Sequence, residues 1–159
     1  MLASVCWSEL IARRAAQGAS AFAVLTTVEA KEIVALSNTI LPETDTPGAE
    51  QANAVHFIDA ALAGFDRDQV GVYRAGLADI AARTRQMFLP ATRFSDLSES
   101  QRAAVLKSVE KTEFFEKLRT HTILAYFGNP EFGWKLLGRD AAMQFAPPFG
   151  FYDAERKGE

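Results

Sequence analysis

Apolar residues recur along this chain three and four positions apart, and no stretch alternates apolar and polar residues with the period of two that a half-buried strand requires. The longest pattern is Val70, Tyr73, Leu77, Ile80, Thr84 and Met87, a coiled-coil-like seam of about five turns. Asp66 with Gln69 is expected to cap its start, and Pro90 to terminate it. Upstream, Thr26 with Glu29 makes a capping box for a helix whose Ala30, Ile33, Val34, Ser37, Ile40 and Leu41 form the inner stripe, and Pro42 stops it. Thr46 before Pro47 then reads as an N-cap followed by a first helical residue that needs no donor. That predicts a helix from Pro47 to about Ala63, with Val55, Ile58 and Leu62 inward and Gly64 as its stop. The tract from Pro42 to Ala49 is thus a corner between helices.

Ser98 with Gln101 opens a further helix carrying Val105, Leu106 and Val109, with a break near Thr112. Beyond it Phe114, Phe115, Leu118, Thr122, Ile123 and Tyr126 give the last helix a heavy apolar face, closed by Gly128-Asn129-Pro130. An N-terminal amphipathic helix places Val5, Leu10 and Ile11 inward. The expected fold is all-α: a compact single-domain bundle of about five to six helices, divided into an N-terminal helix and linker (1–25), a helical core (26–128) and an irregular C-terminal segment (129–159).

That last segment changes character, because prolines forbid a continuous helix while aromatic residues keep arriving. Two readings stand side by side. Trp134, Phe149, Phe151 and Tyr152 close over the chain's own core, or they form an anchor on a larger subunit, since aromatic residues are enriched at interface centres.

Composition narrows the function classes. A chain of 159 residues is long enough to bury roughly 70% of its unfolded surface without staples. The single Cys6 cannot form an intrachain disulfide. A net charge of -3 with interspersed signs argues against nucleic-acid binding, which concentrates Lys and Arg on one face. No apolar run reaches the ~20 residues of a membrane span, so no direct membrane insertion is expected. Arg13-Arg14 superficially suggests a twin-arginine signal, but Gln17 and Gly18 interrupt the apolar run that follows.

Tools for chemistry are sparse. His56 and His121 are the only imidazoles, and neither has a second His or Cys at metal-ligand spacing. His56 and Asp59 share a helix face; a stand-alone ligand-binding or metal-dependent helical enzyme would use them with His121 in an internal pocket, against the plainer reading of surface or hydrogen-bonded histidines. Glu110 and Glu113 lie among Lys107, Lys111 and Lys117 as a solvated charged face. No GxGxxG turn, P-loop or CxxCH motif is present, so no cofactor is expected in this chain. A homodimer through the Val70 to Met87 seam is a third possibility.

Leu41-Pro42, Asp45-Thr46-Pro47-Gly48-Ala49 and Val55-His56-Phe57-Ile58-Asp59 resemble the opening block of the gluconate 2-dehydrogenase subunit 3 family. Phe114-Phe115-Glu116-Lys117-Leu118-Arg119 with Thr122, Gly133-Trp134-Lys135-Leu136-Leu137-Gly138 and Pro147-Pro148-Phe149-Gly150-Phe151-Tyr152-Asp153 resemble its second half, in order. The resemblance implies a non-catalytic small subunit with a large FAD-containing partner of the glucose-methanol-choline type, which oxidises a sugar, glycoside or polyol. Electrons would pass to a cytochrome c subunit or another acceptor, and the small subunit would support folding, maturation and export. It also implies a periplasmic complex; a cytoplasmic one follows if the chain is complete and its partner carries no export signal. On this reading Trp134, Pro147, Pro148, Phe149, Phe151 and Tyr152 are interface residues, and no residue is assigned to catalysis, cofactor or metal.

Overall fold

In the computed structural model residues 22–129 are described. They form α1 (Thr27–Ile40), α2 (Ala54–Ala63), α3 (Val70–Met87), α4 (Glu99–Val109) and α5 (Glu113–Gly128), with single 3₁₀ turns at Arg67–Gln69 and Phe94–Asp96. No strand occurs among the described residues, and the fold is the all-α bundle expected. The N-terminal helix with Cys6 and Arg13-Arg14, and the whole segment from Pro130 onward, lie outside the described residues.

Local signals place most helix ends. Thr26 Oγ1 accepts the Glu29 N–H at 3.2 Å while Glu29 Oε2 accepts the Thr26 N–H at 2.8 Å, the reciprocal box that starts α1. Gln101 Oε1 accepts the Ser98 N–H at 3.0 Å at the head of α4. The break falls at Thr112, whose Oγ1 accepts the Phe115 N–H at 3.2 Å, so α4 and α5 are separate helices.

Helix α1 lies centrally, against α2, α4, α5 and the 94–96 turn. That position buries a wider face than one stripe: Ala35 and Leu36 are buried with Ala30, Ile33 and Ser37, whereas Val34, Ile40 and Leu41 are half-buried. Helix α3 packs on α4 and α5. Tyr73, Ile80 and Thr84 of its seam are buried within the chain, and Met87 is exposed at the end where the seam runs past its neighbours. The seam is therefore spent internally and is not a surface left for a second copy. Gly76 on the same face is buried because the Phe114 ring occupies the volume a Cβ would take.

Three expectations are corrected. Helix α2 begins at Ala54 and not at Pro47. The chain instead doubles back: Gly48 packs so closely on residues 41–43 that a Cβ would lie 2.7 Å from the Glu43 nitrogen, and the Ala49 N–H bonds the Leu41 carbonyl at 3.0 Å. Turns follow, and Asn53 reaches the left-handed region (φ 55°) before the helix starts. Asp66, expected to cap α3, makes no cap bond; a 3₁₀ turn leads into that helix and the carboxylate goes elsewhere. Ile123, expected inward, lies at 36% exposure, because Leu118, Thr122 and Tyr126 define the inner face and residue 123 falls beyond its edge.

Candidate functional site

Helix α2 has two working faces. Ile58, Ala61 and Leu62 enter the apolar core. Asp59, only 3% exposed, accepts three backbone N–H groups, from Ala23 at 2.7 Å, Val24 at 2.9 Å and Leu25 at 3.0 Å. Charge-assisted bonds of this kind are about twice as strong as neutral ones. One turn earlier the His56 ring stacks on Phe22, with centroids 5.2 Å apart. Together they fasten the segment leading into α1, which gives the Val55 to Asp59 motif a structural reason.

A second polar cluster joins three elements. The Tyr73 hydroxyl of α3 lies 2.8 Å from Nδ1 of His121 on α5, and His121 Nε2 lies 2.7 Å from Asp66 Oδ2 in the α2–α3 connection. Burial, and then the negative charge of Asp66, push the Tyr73 hydroxyl above its usual range. It therefore keeps its proton and is able to donate to Nδ1, the arrangement in which Nε2–H donates to Asp66. Lys117 Nζ stands 3.7 Å from the other Asp66 oxygen. Rings enclose the imidazole: Tyr73 stacks at 5.9 Å, and Phe57 and Phe65 meet it edge-on at 6.1 and 6.4 Å. A phenol so protected is a poor base or nucleophile near neutral pH, and the arrangement acts as a tie between α3, α5 and the connection.

Between α1, the corner and α2 lies a cleft of about 190 Å³, lined by Val34, Ser37, Asn38, Ala49, Glu50, Asn53, Ala54, Val55 and His56. Asn38 holds its rim: its Oδ1 accepts the Glu50 N–H at 3.0 Å and its Nδ2 donates to Glu50 Oε2 at 2.8 Å.

The structure does not gather the three residues of an internal catalytic or metal pocket. His56 faces Phe22 and the cleft, Asp59 binds the 23–25 backbone, and His121 bridges Tyr73 and Asp66. No cluster of three or more His, Cys, Asp or Glu able to hold a metal occurs among the described residues. Trp134, Pro147, Pro148, Phe149, Phe151 and Tyr152 lie outside the described residues.

Sequence reading missed Asp66 and Tyr73 as partners of His121. The available signal was Tyr73 itself, a seam residue whose hydroxyl needs a partner once buried. Among the described residues no helix is long and apolar enough to cross a membrane. The family model for gluconate 2-dehydrogenase subunit 3 matches residues 27–140. No curated protein and no solved structure matches the chain.

Proposed function

The chain belongs to the gluconate 2-dehydrogenase subunit 3 family, and from that membership we propose that it is the non-catalytic small subunit of a flavin-dependent sugar, glycoside or polyol dehydrogenase. The observation that carries the reading is the extent of the match, which takes in all five described helices together with the corner and the α2 motif. It is supported by the use the chain makes of its versatile side chains: Asp59, Asp66, Tyr73 and His121 spend their hydrogen bonds on the fold.

On this proposal FAD and the oxidation chemistry reside in a large partner of the glucose-methanol-choline type, with a cytochrome c subunit or another carrier accepting electrons. The small subunit stabilises that partner during folding and flavin loading, and accompanies its export where the complex is exported. Trp134 and the segment from Pro147 to Tyr152 anchor it, using rigid aromatic surface that loses little side-chain entropy on binding.

Co-expression tests this directly. The full chain is expected to raise the yield of flavin-loaded large subunit and to co-purify with it, while a chain cut before Ala146 co-purifies weakly. Unchanged flavin content without the small subunit, together with undiminished co-purification of the truncated chain, overturns the proposal.

A further inference from the structure

The cleft between α1 and α2 is filled by none of the described residues, and its chemistry is one-sided. At about 190 Å³ it falls below the ~300 Å³ where small-molecule sites begin and near the ~150 Å³ that admits a benzene-sized guest. One side chain fits; a sugar or a flavin does not. Val34, Ala49, Ala54 and Val55 supply apolar wall, and Glu50, Asn53 and His56 supply polar groups.

Those three have unused capacity. Asn53 is the N-cap residue of α2, held at a positive φ of 55°, yet its side chain makes no capping bond. Glu50 is engaged by Asn38 through Oε2, and no described residue bonds its Oε1. His56 stacks through its ring face, and its ring nitrogens have no hydrogen-bond partner among the described residues. A helix N-terminus favours an anion, but here the Ala54, His56 and Phe57 N–H groups already bond the Ala49 and Asn53 carbonyls. Among the described residues the full charge at the rim is the Glu50 carboxylate, and no described Lys or Arg lines the cleft.

We propose that this cleft receives one basic side chain, arginine or lysine, from the partner subunit, its alkyl stem against the apolar wall and its cationic end at Glu50, Asn53 and His56. The inference rests on the subunit reading above. It gives the Pro42 to His56 corner a second role, since the tight turn at Gly48 and the late start of α2 open a hole that a helix continuous from Pro47 would not contain. Basic side chains suit such a place because the stem buries while the charge keeps its hydrogen bonds.

The test uses the full chain in two arms. In the first it is co-expressed with the dehydrogenase subunit that co-purifies with it. Glu50→Lys is expected to weaken the complex about tenfold or more, as a desolvated charge pair at an interface requires. Glu50→Gln keeps a side-chain amide for Asn38 and is expected to weaken it less and to flatten its salt dependence. Wild-type affinity and salt dependence in both variants overturn the proposal. In the second arm propylguanidine is titrated into the isolated full chain, and the amide resonances of Asn53 and His56 are expected to shift in the wild type and not in Glu50→Gln. No shift in the wild type overturns the cleft site whatever the partner does; a shift without any co-purifying dehydrogenase supports the cleft and overturns the subunit reading instead.

Discussion

Residues 22–25 and residues 91–97 are both irregular segments that lead into helices, and both are tied by their N–H groups to a carboxylate on another helix. They are held in different ways. Asp59 uses both oxygens to take three N–H groups at 2.7 to 3.0 Å. Glu32 uses one oxygen, at 2.9 Å to Phe94 and a long 3.4 Å to Ser95, and its other oxygen is buried without a partner among the described residues. Apolar burial makes up the difference: Phe94 is fully buried and Leu97 nearly so, whereas in 22–25 only Leu25 is buried. A short carboxylate with one torsion fewer can be aimed well enough to secure an apolar segment whose Phe22 and Val24 pack on the core only partly buried. A segment that inserts an aromatic ring tolerates a looser polar tie.

The largest expected effect comes from removing that ring. Phe94→Ala empties a fully buried position and is expected to cost about 3–5 kcal/mol, read by denaturant unfolding of the full chain. A loss below about 1 kcal/mol, the ordinary net worth of a hydrogen bond, would mean that the Glu32 tie holds the segment and would erase the contrast. Next comes Asp59→Ala, which strands three N–H groups and is expected to cost about 3 kcal/mol. Hydrogen exchange should show the amides of residues 23–25 losing protection while those of 94–97 keep theirs. Equal loss in both segments would place them in one cooperative unit.

The same contrast explains what the sequence discloses. The boxes at Thr26 with Glu29 and at Ser98 with Gln101, and the stop at Thr112, join residues three apart, so their geometry is local and legible. Asp59 reaches back to residues 23–25, and Asp66 reaches His121, 55 positions away. No spacing rule announces such pairs, and a local rule misleads: Asp66 precedes a helix, but a buried imidazole with an N–H to donate outcompetes solvent-satisfied helix donors for its oxygen. The corner fails for the same reason. Thr46-Pro47 is a good helix start in isolation, but the contact of Gly48 with the backbone of 41–43 turns the chain first. The cleft exists because of that turn, so it too was invisible before the fold.

Tyr73 is one side chain held both ways: its ring belongs to the apolar core and its hydroxyl to the polar tie. Tyr73→Phe keeps the ring and leaves His121 Nδ1 without its donor, for an expected loss of about 1–2 kcal/mol near neutral pH. The pH dependence separates the two contributions. A hydroxyl held above its usual value in the folded chain stabilises fully below the unfolded value of about 10. That contribution is lost as pH rises beyond 10, at up to about 1.4 kcal/mol per pH unit, since the unfolded phenol releases its proton while the folded one keeps it. The difference in stability between wild type and Tyr73→Phe is therefore expected to be constant between about pH 8 and about pH 10 and then to shrink and change sign. Taking the difference cancels every other group that titrates alike in both chains. A gap that stays constant into strong alkali would show that the hydroxyl ionises equally in both states, and the tie would then be no more protected than a surface hydrogen bond.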